Sequence, residues 1–143
     1  MSELKKIHDK DFNLWIEKTV EQAKMGNFSK LDWDNLIEEI EDIGASQKRA
    51  LDSYMKRLIE HLLKLKFWIE EKDRCERRWR GEVNAFRDSI NKIIRKNPSL
   101  KNYLQDEYRD NFRAAKRRVG ESFDIPDDYF IEFEKAMDLE YYQ

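Results

Sequence analysis

Residues 32–69 read DWDNLIEEIEDIGASQKRALDSYMKRLIEHLLKLKFWI, and the spacing of their apolar side chains decides the fold. Trp33, Leu36, Ile37, Ile40 and Ile43 fall within a sector about 120° wide at 100° per residue, which is one face of a helix. The pattern passes Gly44 and resumes with Leu51, Met55, Leu58, Leu62, Leu65 and Ile69. One helix over residues 32–72 would be about 60 Å long, whereas a compact chain of this length is roughly 37 Å across. The expected solution is a long second helix that breaks or kinks at Gly44-Ala45-Ser46, with Ser46 capping the continuation. The other solution is an elongated molecule that pairs with a copy of itself.

The flanking sequence is helical as well. Before this stretch, Phe12, Trp15, Ile16, Thr19 and Ala23 form a stripe, with Asp9 or Asp11 to cap its start and Gly26 placed to end it. After it, an acid four residues before a base recurs in Asp52/Lys56, Glu60/Lys64, Glu70/Arg74, Asp73/Arg77, Glu76/Arg80 and Asp88/Lys92. Each such pair adds only about 0.3–0.5 kcal/mol, but the recurrence fits nothing except helix. Cys75, Trp79, Val83, Phe86, Ile90 and Ile93 mark a third helix that Asn97-Pro98 closes. A fourth is expected from about Pro98 to Val119, with Gly120 after it, and a last one from about Asp127 bearing Phe130, Phe133 and Met137. The expectation is an all-α bundle of five or six helices, with residues 1–143 as a single helical domain.

Composition agrees. The 143 residues include only 4 Gly and 2 Pro, too few for the turns of an all-β fold, and no phosphate-cradling Gly-rich loop is present. No apolar run exceeds three residues, so no membrane span or secretory core is expected. Cys75 is the only cysteine, which points to a reducing cytoplasm and leaves His8 and His61 as the only imidazole ligands. The net charge of −2 conceals segregation. Residues 32–42 carry six acids and no base, residues 109–118 five bases and one acid, and residues 121–140 eight acids and one lysine.

Several motifs together resemble a known family. Asp11-Phe12-x-x-Trp15, Leu31-Asp32, and Leu36-x-Glu38-Glu39-Ile40-Glu41-Asp42-Ile43-Gly44 are followed by His61-Leu62-Leu63-Lys64, a solitary Trp79, and Asn97-Pro98-Ser99-Leu100. In order and spacing they are similar to the family catalogued as domain of unknown function 29, which is numerous in cyanobacteria. The resemblance covers almost the whole chain. It implies a helical fold and carries no activity with it.

The polar residues supply the candidate sites. Asp34, Glu38, Glu41 and Asp42 cluster away from the apolar stripe, and their like-charge spacing is unfavourable within the helix. They are expected to face a basic helix such as Arg113, Lys116, Arg117 and Arg118, which are also the candidate interaction residues. Sharper readings are a docking face for a basic partner or a divalent-metal site drawing on Glu38, Glu39, Asp42 and His61. Glu39 and Asp32 lie at the edge of the stripe and each needs an Arg, Lys or Trp N–H. His61 reads as a hydrogen-bonded residue at the edge of the core. Glu39 and His61 are the weak candidates for acid–base chemistry, but a fold-back near residue 45 would put them about 9 Å and 24 Å from the turn, so no dyad is expected. Residues 64–80 carry seven bases, four acids and the aromatics Phe67, Trp68 and Trp79, a mixture that can bind single strands but reads better as core anchoring.

The function expected from these features is non-enzymatic, through protein–protein contact or self-association, with no cofactor required. The alternative is a nucleic-acid-binding or metal-dependent nucleic-acid-processing protein using the basic segments 64–80 and 109–118.

Overall fold

The computed structural model describes residues 3–142. Asp11 caps a helix, its carboxylate accepting the Leu14 N–H at 3.0 Å. That helix, α2 (Phe12–Lys24), is preceded by a short α1 (Glu3–His8) that the apolar spacing did not reveal. Gly26, at φ +76°, adopts the left-handed conformation, and the Asn27 N–H reaches back to Gln22 O at 3.0 Å. This is the closure that glycine permits at a helix end. A single 3-10 turn (Phe28–Lys30) leads to α3 (Trp33–Phe67), at whose start Asp32 accepts the Asn35 N–H at 3.4 Å. Next come α4 (Ile69–Lys96), α5 (Leu100–Val119) and a one-turn α6 (Phe133–Ala136). Among the described residues there is no strand.

Helix α3 corrects the expected break. It runs unbroken for 35 residues, about 52 Å at 1.5 Å per residue, and Gly44 lies inside it. A glycine in a helix interior costs only about 1 kcal/mol relative to alanine, which flanking helix formers easily outweigh. The interruption comes instead at Trp68, with φ −87° and ψ 68° between α3 and α4. Its indole stacks between Trp79 (centroids 5.9 Å apart) and Phe123 (5.2 Å), so tertiary packing sets the turn. The final helix is also shorter than its pattern suggested. Residues near 127–131 satisfy their carbonyls through side chains: Tyr108 Oη donates to Ile131 O at 2.6 Å and Lys116 Nζ to Tyr129 O at 3.2 Å.

The chain divides into two compact units, one ending at Ser46 and one beginning at Gln47. The first has a small core of Leu4, Trp15 and Leu31, with Ile7, Ala23 and Leu36 packed on it. Trp15 Nε1 donates to the buried Asp32 carboxylate at 3.3 Å, the Trp N–H that Asp32 required. The second unit holds the main core, where Leu51, Met55, Leu58 and Leu62 of α3 meet Trp79, Val83 and Ile90 of α4 and Leu104, Tyr108 and Phe112 of α5. Asp52 ties α3 to α5, accepting from Tyr103 Oη at 2.6 Å and Asn111 Nδ2 at 3.0 Å. The bond to that carboxylate is the main cause that pushes the Tyr103 phenol up to about 12. The fully buried Arg87 fastens the C-terminal segment, donating to Ala136 O at 2.8 Å and Tyr141 O at 2.5 Å.

Candidate functional site

One apolar stripe runs the length of α3. At 100° per residue, Trp33, Ile37 and Ile40 lie on the face that carries Leu51, Met55, Leu58 and Leu62. The later residues are enclosed, with Leu51, Met55 and Leu58 at 0% exposure. The earlier ones are not: Trp33 is 49% exposed, Ile37 53%, Ile40 60% and Ile43 61%. Within residues 33–43 only Leu36, partly buried, packs on the small core. On α2, Phe12, Ile16 and Val20 at four-residue steps are also exposed. Four large apolar side chains within eleven residues are therefore left about half exposed or more.

The acidic residues around this stripe divide into two groups. Asp34 pairs with Lys5 at 3.4 Å and Glu39 with His8, whose Nε2–H donates at 2.9 Å. The His8 Nδ1–H faces Asp9 at 2.9 Å, and the ring lies edge-on to Trp15 and Phe12. With both ring nitrogens donating to carboxylates, the imidazolium is favoured, and the bond to Glu39, then that to Asp9, raises the His8 pKa above its ordinary 6.5. Glu38, Glu41 and Asp42 are exposed and have no partner among the described residues. The sequence supplied the need of Glu39 for a partner but not its identity. Its partner is 31 positions away on a helix too short to show periodicity.

The basic residues Arg113, Lys116, Arg117 and Arg118, expected opposite this acidic run, have other neighbours. Arg113 binds Asp110 at 3.2 Å on its own helix, Lys116 holds the carbonyls of Asp127 and Tyr129, and Arg118 reaches the buried Glu60 at 3.5 Å. Arg117 lines a groove of about 510 Å³ whose wall includes Asp124 and Asp127, so its charge is mixed. In the 64–80 segment, Trp68 and Trp79 are stacked within the protein, Arg74 pairs with Glu71, and Arg80 lies 4.4 Å over the Tyr142 ring.

His61 is buried. Its Nδ1–H donates to Arg57 O at 2.7 Å, its Nε2 meets the Glu82 carboxylate, and Phe86 covers the ring at 5.4 Å. Glu39 and His61 stand about six turns apart on one helix, and each has its own acid–imidazole partner. Among the described residues, no three His, Cys, Asp or Glu side chains gather so as to hold a metal ion. No helix among them is long and apolar enough to cross a membrane.

Comparison with known proteins finds one family, Domain of unknown function DUF29, matching residues 7–142. No curated protein and no solved structure matches the chain.

Proposed function

The chain belongs to the Domain of unknown function DUF29 family, and from that premise we propose that it acts by protein–protein contact, made through the uncovered face of α3. The observation that carries this reading is the exposure of Trp33, Ile37, Ile40 and Ile43 on a stripe that the same helix encloses further along. Water contact at such side chains costs roughly 25 cal/mol per Å² of apolar surface, so covering them favours association. Contact through a preformed helix face also requires little reordering, which keeps the entropic cost of association low.

A photo-crosslinking side chain placed at Ile40 tests the reading in cells that express the full chain. The expected result is a protein adduct from position 40 and none from Arg95, an exposed residue near the end of α4. If positions 37 and 40 yield no more adduct than position 95, the contact reading is wrong.

A further inference from the structure

We infer that the uncovered face of α3 receives an amphipathic helix of another protein, one that carries Lys or Arg along a single flank of its apolar stripe. This inference rests on the contact reading above and adds the chemistry of the partner.

The form of the partner follows from how α3 is covered elsewhere. From Leu51 onward its stripe shares one core with side chains of α4, α5 and the C-terminal segment that includes Ile131 and Ala136. Residues 33–43 continue the same face with other large apolar side chains, Trp33, Ile37 and Ile40, and a surface made of one helical ridge is complemented by another. Eleven residues span about 16 Å, so a partner helix of three to four turns suffices.

The charge follows from the rim. On the wheel Glu41 and Glu38 lie to one side of the Trp33/Ile37/Ile40 line, whereas Leu36 and Ile43 occupy the other. Glu38 and Glu41 have no cationic partner among the described residues, and residues 32–42 include no base. A partner with basic residues on the matching flank places each cation against one of these carboxylates.

A second copy of the chain fits poorly. Two-fold pairing uses the same patch on both molecules. In an antiparallel pair the same flank of each helix meets, so Glu38 and Glu41 of one copy would face those of the other. In a parallel pair they would meet the Leu36/Ile43 flank and lose water without gaining a cation.

The test uses the full chain and two synthetic fourteen-residue helical peptides with identical leucine stripes, one bearing lysines along one flank and the other glutamates. Binding is measured by calorimetry at low and high salt, with a light-scattering mass for the chain. The expected result is at least about tenfold tighter binding of the lysine peptide, with the difference shrinking as salt screens the rim. The Glu38→Lys/Glu41→Lys variant, changed only at exposed positions, should reverse the preference, and Ile40→Lys should abolish binding of both peptides while helicity is unchanged. Equal binding of the two peptides overturns the charge assignment and leaves the contact reading standing. So does a dimer that Ile40→Lys converts to monomer, since a second copy would then be the occupant. A monomer that binds neither peptide overturns this inference, and if it also gives no adduct from position 40 the contact reading falls with it.

Discussion

Leu51, Met55 and Leu58 are enclosed to 0% exposure, whereas Trp33, Ile37 and Ile40 on the same face of α3 stand roughly half open to water. The two halves share a helix, a periodicity and a side-chain chemistry. They differ in what the rest of the chain provides. The 51–65 half meets two long helices that carry their own apolar stripes, while in the unit ending at Ser46 the core is built from Leu4, Trp15 and Leu31. Periodicity therefore says which side of a helix prefers to leave water, and it does not say whether the chain itself supplies the cover. Where it does not, the stripe stays open to water, as at Trp33, Ile37 and Ile40.

The sharpest way to break this comparison is truncation in both halves. Leu58→Ala should lose about 3 kcal/mol of stability in urea unfolding, the usual cost of a cavity in an enclosed core. Ile40→Ala should change stability by no more than about 0.5 kcal/mol. Similar costs at the two positions would mean that the 33–43 face is packed after all. A smaller loss, about 2 kcal/mol, is expected for Arg87→Met, which frees the carbonyls of Ala136 and Tyr141 that close the second unit.

Gly44 sharpens the comparison from the backbone side. A Cβ there would meet nothing within 4 Å, so Gly44→Ala in a continuous helix should stabilise the chain by about 0.5–1 kcal/mol, read as a higher midpoint in urea. A loss of stability would restore the break that the sequence pattern suggested.

The smallest effect concerns pH. Because His8 is raised above 6.5 in the folded chain by its bonds to Glu39 and Asp9, its contribution is fully present below pH 6.5, the ordinary value. It is lost as pH rises through the raised folded value. The first unit, followed by the Trp15 indole signal in NMR, should therefore hold its stability up to about pH 6.5 and lose it as pH rises further. In His8→Gln this slope should disappear, and a slope that persists would assign the titration elsewhere.

Much of this was legible in the residues. Asp11, Gly26 and Asn97-Pro98 mark helix ends because capping, positive φ and proline geometry are local, and the structure places boundaries beside each of them. The need of Asp32 and Glu39 for partners also followed from their position at the stripe's edge. What could not be read depended on distant packing. Trp68 turns the chain because Trp79 and Phe123 hold its indole, and nothing in its neighbours announces that. Helix α1 contributes only Leu4 and Ile7 as apolar residues, too few for a periodic signal, so the His8–Glu39 pair stayed hidden. The exposure of Ile37 and Ile40 was hidden for the same reason, since a covered stripe and an uncovered one are written alike.

Hydrogen exchange along α3 in the purified full chain tests the central claim most directly. If the 33–43 half is an uncovered contact face, its amides open locally and should exchange at least about a hundredfold faster than those of residues 51–65, which await global unfolding. Uniform protection from residue 36 to residue 65 would contradict the account, because it would show the face already covered.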